Sequence, residues 1–164
     1  MRTKHRLFLI ILILSGIVYA QAPDVNALYL PQDQNPSLFE LNITFNLTDA
    51  LKEGIKIEGT ELMKLAPVKV TVNDTSLWLK NNSDEPNEKN VIHWFADNDG
   101  IILRFPSDDK STGDQIAIVF MPQPVFLIQD SLQIVISNLN IDEQRQVSPG
   151  EIITRQLITK PVSE

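Results

Sequence analysis

Three side chains beyond residue 20 are spaced so that one protein surface could present them together. His93 and Phe95 stand two apart in the run 91–96, and Arg104 lies in the run 101–105 that follows the turn Asp97, Asn98, Asp99, Gly100. If both runs are strands, that turn suits a hairpin, because Asn and Asp tolerate left-handed backbone and Gly supplies it freely. Whether the loop has two residues or four, Ile92, Trp94, Ala96, Ile101, Leu103 and Phe105 share one apolar face that must be core. His93, Phe95, Ile102 and Arg104 share the other. A ring, a second ring and a guanidinium on one sheet surface can stack on a sugar or seat a partner's side chain. His93, Phe95 and Arg104 are therefore the candidate binding residues, unless a loop or a second sheet covers Phe95 and makes the patch interior.

The same turn invites a metal reading. Carboxylates at alternate positions can converge on a hard cation, and Asp97, Asp99 and Gly100 resemble part of a calcium loop. The register fails: with Gly100 at the loop's glycine position, Phe95 falls where the first acidic ligand belongs and Pro106 where the bidentate glutamate belongs. Asp97 and Asp99 remain weak candidates, to which Asp108, Asp109 and Asp114 of the next loop are the available additional oxygens. No metal or cofactor is expected.

Catalytic patterns are sparse. His93 is the one histidine after residue 20, and the absence of cysteine excludes disulfides, thiolate metal sites and thiol nucleophiles. No nucleophile elbow, phosphate-cradling glycine loop or zinc-binding helix motif occurs. Two carboxylates distant in sequence can still form a sugar-cleaving pair, so a secreted carboxylate-dependent hydrolase, such as a glycoside hydrolase, is the alternative to a non-enzymatic reading. The enriched pattern is the sequon: Asn42 with Thr44, Asn46 with Thr48, Asn73 with Thr75 and Asn81 with Ser83, whereas Asn35 is disqualified by Pro36. In a eukaryotic host these four asparagines are N-glycosylation candidates; in a bacterial one they are polar residues suited to an exposed strand.

The compartment follows from the amino end. Arg2, Lys4 and Arg6 precede the apolar run 7–13, and Val18, Tyr19 and Ala20 close the segment in the charged, hydrophobic, small-residue order of a cleavable signal peptide over residues 1–20. A cut after Ala22 would leave Pro23 beside the scissile bond, so Gln21 is the expected mature terminus. The apolar stretch 7–20 is shorter than the roughly 20 residues a spanning helix needs. Loss of the three leader cations takes the formal charge from −7 to −10. Such a chain repels polyanions and has no Lys or Arg cluster to neutralise phosphates, so nucleic-acid binding is not expected.

Period-two alternation organises the remainder. Phe39, Leu41, Ile43, Phe45 and Leu47 alternate with Glu40, Asn42, Thr44, Asn46 and Thr48, giving a strand with one buried and one wet face. Shorter alternations occur at 55–58, 68–73 and 77–80, and 116–121 is continuously apolar, as for a strand covered on both sides. Pro122 and Pro124 end that strand, and 125–128, 132–136 and 152–158 complete the set. Residues 21–37 read as an extended lead along the surface. The stretch 81–90, in which every residue is polar, charged or proline, reads as an exposed, mobile loop, and 60–66 suits either a helical turn or an irregular strand.

Eight or nine short strands without a long helix predict an all-β fold: an antiparallel β-sandwich of immunoglobulin-like architecture over residues 38–164, with a closed barrel as the alternative. The function expected of such a chain is a secreted or cell-surface binding or structural module acting through a sheet face or loops on an unknown protein or carbohydrate ligand. A subunit whose open sheet edge pairs with a neighbour's strand is a further possibility.

Overall fold

The computed structural model describes residues 24–162, apart from 60–61, 85, 87 and 107–110. The leader expected at 1–20 lies outside the described residues, as do Asp108 and Asp109. The fold is all-β. In chain order the strands are β1 (Asn26–Gln32), β2 (Asn35–Asn46), β3 (Gly54–Glu58), β4 (Pro67–Val72), β5 (Thr75–Asn81), β6 (Val91–Asp97), β7 (Gly100–Arg104), β8 (Gln115–Phe120), β9 (Gln123–Pro124), β10 (Ser131–Ile141) and β11 (Val147–Thr159). Short 3-10 turns stand at Asp49–Leu51, Leu62–Lys64 and Val125–Leu127. Within the ambiguous 60–66 segment, Leu62–Lys64 is thus a helical turn, and Leu62 and Leu65 are in the core.

Two layers emerge from the hydrogen-bonding order. One is β1-β2-β8-β4-β5, with β9 beside β2, and the other is β5-β6-β7-β3-β10-β11. β5 belongs to both, because Thr75, Ser76 and Leu77 pair with β4 whereas Trp78 to Asn81 pair with β6. Leu41, Ile43, Phe45, Ile116, Ile118, Phe120 and Val70 point inward from the first sheet, against Ile92, Ile101, Leu103, Ile55, Ile57, Ile134 and Ile136 from the second. All of these are essentially inaccessible, and each such burial stabilises the fold by about 1.5–3 kcal/mol. The expected alternation of 39–48 holds from Leu41 to Leu47. On β8 the outward residues Ala117 and Val119 are half-buried, so that strand is covered fully on one side and partly on the other.

The lead segment is a strand in its own right: β1 pairs antiparallel with β2 at the end of the first sheet, where Pro31 costs no ladder bond to a further strand. At the other end of the order stands β11. The two edges are clasped by one side chain, since the Ala27 amide donates to Gln156 Oε1 at 3.0 Å and Gln156 Nε2 donates to the Ala27 carbonyl at 3.0 Å. This carboxamide reproduces across the seam the pair of bonds an antiparallel ladder would make.

The β6–β7 hairpin forms as expected, with Asp97 opposite Gly100 and a two-residue loop. Its glycine serves a different purpose from the one the turn chemistry suggests. None of Asn98, Asp99 and Gly100 has positive φ; the left-handed pair is Asn73 (φ 46) and Asp74 (φ 64), in the β4–β5 turn. Gly100 is required by crowding, because a Cβ there would run into the Ile57 carbonyl oxygen of β3.

One pairing departs from an antiparallel meander. β5 and β6 are parallel, with Trp78 opposite Val91 and Asn81 opposite Trp94. To enter β6 in the same direction, the chain must travel back the length of β5, and Asn82, Ser83 and Asp84 of this connection lie against the outward face of the second sheet. That crossing creates the site described next.

Candidate functional site

Strand alternation and register put three rows of side chains on the outward face of the second sheet. His93 lies opposite Arg104, and Arg104 opposite Gly54; Phe95 meets Ile102, which meets Lys56, which meets Ser137; Asp97 meets Gly100, which meets Glu58. An outward face is normally wet. Here Lys56, His93, Ile102, Arg104 and Ser137 are all buried, with His93 and Arg104 each 4% exposed.

The cover over the first row is backbone. His93 Nδ1 donates to the Asp84 carbonyl at 2.9 Å, and Arg104 Nη1 donates to the Ser83 carbonyl at 3.3 Å. Asn82 N–H donates to the Trp94 carbonyl at 3.0 Å, and Lys80 Nζ meets Glu88 Oε1 at 2.6 Å, which pins the crossing at both ends. The stretch 81–90, expected to be an exposed loop, keeps exposed side chains at Asn81, Ser83, Asp84, Glu88, Lys89 and Asn90, but its Ser83 and Asp84 carbonyls roof the sheet and Pro86 is buried. The expected open patch of His93, Phe95 and Arg104 is correspondingly corrected: His93 and Arg104 are beneath the crossing, and Phe95 is half-buried at its margin. Burial leaves donors and acceptors unmet. Arg104 Nε and His93 Nε2 are inaccessible and have no hydrogen-bond partner, as is also true of Ser137 Oγ.

Beside this roof opens a cleft of about 520 Å³, lined by Ser83, Asp84, Phe95, Arg104, Arg145, Gln146 and Val147. Arg145 and Gln146 come from the β10–β11 connection, where Arg145 adopts φ 61 in a tight turn closed by Asp142. The cleft is thus lined by one aromatic ring and one buried guanidinium from the sheet, by Ser83 and Asp84 from the crossing, and by Arg145, Gln146 and Val147 from the β10–β11 hairpin. Among the described residues lining it, Asp84 supplies the one carboxylate, so the two-carboxylate arrangement of a glycoside hydrolase is not assembled there.

Charge gathers where the second and third rows meet. Lys56 Nζ lies 2.7 Å from Asp99 Oδ1, 2.9 Å from Asp97 Oδ2 and 3.3 Å from Glu58 Oε1. Burial opposes the lysine's charge, but the hydrogen bonds it donates to Asp99, Asp97 and Glu58 outweigh it and raise its pKa well above the ordinary lysine value. The Lys56 hydrogen bond, helped by the Asn98 amide, holds the Asp97 carboxyl below its usual range. The oxygens of the weak calcium candidates Asp97 and Asp99 are thus spent on an internal ammonium, the cation that stands where a metal was considered. Asp114 bonds Asn73 Nδ2 at 2.8 Å and the Ser111 amide at 2.7 Å. Among the described residues no cluster of three or more His, Cys, Asp or Glu is placed to hold a metal ion.

The sequon asparagines occupy unequal positions. Asn46 and Asn81 are exposed. Asn42 is half-buried in a groove of about 500 Å³ on the outward face of the first sheet, beside Leu30, Glu40, Val68 and Lys69. Asn73 is a turn residue whose Oδ1 accepts from the Gln115 amide at 2.9 Å while its Nδ2 donates to Asp114.

Sequence reasoning brought His93, Phe95 and Arg104 to one face and missed Arg145, Gln146 and the Lys56 cluster. A signal for the latter was present: Lys56 and Glu58 are two apart in an alternating strand and so share a face, the same one that carries Asp97. No comparable signal exists for Arg145, which reaches the cleft only through the curl of the long β10–β11 hairpin.

No family model matches this sequence, and no curated protein matches it. Among solved structures, the collagen-binding domain from a Staphylococcus aureus adhesin is similar, at a TM-score of 0.44 and 9% identity, covering 85% of this chain and 98% of that one. A likeness of that strength carries no argument about ligand or activity. No helix among the described residues is long and apolar enough to cross a membrane.

Proposed function

We propose that this chain is an exported binding module that seats a protein or carbohydrate ligand in the cleft between the 82–90 crossing and the β10–β11 turn. The observation that carries the reading is Arg104: a guanidinium 4% exposed, in a cleft wall, with Nε unpartnered and a single 3.3 Å bond to a backbone carbonyl. A buried charge with so little compensation costs several kcal/mol, and a bound anionic or hydroxylated group would offset that cost. Export is supported by the charged, apolar, small-residue order of residues 1–20. The Lys56 cluster fits a supporting role, fixing β3 against the β6–β7 turn and so the floor on which Phe95 sits.

The test is retention of the purified mature chain on an array of glycans and extracellular proteins, with Phe95→Ala and Arg145→Ala as cleft variants. Retention that both variants abolish is the expected result. Retention indifferent to both, or a chain inert across the array, would refute the cleft as the working surface.

A further inference from the structure

The cleft's chemistry narrows the ligand class, an inference that rests on the binding reading above. We infer that the cleft takes a sugar ring bearing a single carboxylate, a hexuronate at or near the end of a glycan. Three features of the lining point there. First, Arg104 lines the cleft with its charge barely compensated by the protein: Nε is buried without a partner and Nη1 makes one long bond. A guanidinium is a planar fork that matches a carboxylate with two parallel bonds. Second, Phe95 is the diagonal neighbour of Arg104 on the same face, since it pairs with Ile102 two residues away. Diagonal neighbours on one sheet face stand about 7–8 Å apart at the backbone, so both side chains can reach one sugar residue from the same side. A half-buried aromatic there is a stacking platform for the C–H face of its ring. Third, the rims are Ser83, Asp84 and Gln146, groups that accept from and donate to hydroxyls.

Asp84 and the chain's overall charge decide between competing anions. A dense polyanion would meet a carboxylate inside the cleft and a mature charge of −10 outside it, so a heavily sulfated chain is disfavoured. An acidic peptide side chain supplies the carboxylate for Arg104 but no hydroxyls for Asp84 and Gln146. A uronate supplies both, and its single charge is met by the guanidinium of Arg104. A cleft of about 520 Å³ lies within the range of small-molecule sites and admits a disaccharide.

Isothermal titration of the mature protein with digalacturonate, its dimethyl ester, neutral digalactose and acetyl-glutamate amide separates the outcomes. Digalacturonate is expected to bind, with affinity falling about tenfold or more for the ester, which keeps the ring and loses the charge. Arg145→Ala, at an exposed turn position, should lower digalacturonate affinity and leave the folding transition in place; Arg104→Lys tests the fork by keeping the charge and removing the bidentate geometry. Equal affinity for acid, ester and neutral sugar, lost in both Phe95→Ala and Arg145→Ala, would overturn the uronate inference and keep the binding module. Preference for acetyl-glutamate amide with the same cleft dependence would overturn it in favour of an acidic protein partner. Binding of digalacturonate unchanged in the cleft variants would overturn both.

Discussion

Replacing Lys56 by methionine keeps the length and apolar stem of the side chain and deletes the charge at the centre of three carboxylates. The lysine side chain is 5% exposed, its partners Asp97 and Glu58 are about 30% exposed, and Asp99 is about half exposed. Removing one partner of a buried pair costs about 3–5 kcal/mol, but solvent screens the acids here, and exposed pairs contribute at most about 1 kcal/mol. The expected loss for Lys56→Met at pH 7 is therefore intermediate, about 2–3 kcal/mol, most of it repulsion among Glu58, Asp97 and Asp99 once the ammonium is gone.

The pH dependence supplies the sign. Asp97 has a depressed pKa in the folded wild type, so its contribution is present above the unfolded value near 4 and is lost as pH falls through the folded value. Lys56 has a raised pKa, so its contribution is complete below the unfolded value near 10.5 and is lost only as pH rises beyond it. In Lys56→Met the carboxylates repel one another, so acidification relieves the variant while it weakens the wild type. Urea unfolding followed by tryptophan fluorescence, with Trp94 partly buried, should show the midpoint lowered by roughly 1–2 M at pH 7, and the gap should narrow towards pH 4. A gap that stays constant from pH 7 to pH 4, or a loss under about 0.5 kcal/mol at pH 7, would refute the assignment of this cluster as a charge-dependent clamp.

Gly100→Ala should cost about 2–4 kcal/mol, because the added methyl meets the Ile57 carbonyl and must push β7 from β3; a thermal midpoint within a degree of wild type would contradict that crowding. Gln156→Ala removes both bonds of the seam and strips the partner from the Ala27 amide, so a loss of about 1–2 kcal/mol is expected, with concentration-dependent self-association in sedimentation as the exposed β1 and β11 edges seek partners. If the variant is as stable and as monomeric as wild type, the clasp is not what protects those edges. Intact mass of the protein exported from a eukaryotic host should correspond to a chain beginning at Gln21, with glycan mass lost on Asn46→Gln or Asn81→Gln, the two exposed sequon asparagines; the full precursor mass would remove the leader assignment, and an unadorned mature mass the glycans.

What was legible in the sequence, and what was not, divides along a physical line. Side-chain alternation announces which residues of a strand face inward, so Leu41 to Leu47 and Ile101 to Phe105 could be placed on the core face without coordinates, and the two-sheet architecture followed. Alternation is silent about what lies over the other face. The roof above His93 and Arg104 is made of the Ser83 and Asp84 carbonyls, and a carbonyl is the same in every residue, so a stretch of polar and charged residues with one proline reads as a free loop even where its backbone is engaged. The parallel β5–β6 pair is the deeper cause. Two strands joined by about nine residues ordinarily suggest a hairpin, since parallel neighbours commonly need a dozen or more for the return. Here the return is made within residues 82–90, with Asn82, Ser83 and Asp84 against the sheet, and a short crossing has no slack to stand away from the surface. The length of that connection, rather than its composition, is what buries Arg104 and shapes one wall of the cleft. Lengthening it by three or four glycines should therefore free the guanidinium to solvent while leaving the core strands paired, a change that hydrogen exchange at the Asn82 amide, now bonded to the Trp94 carbonyl, would detect as lost protection.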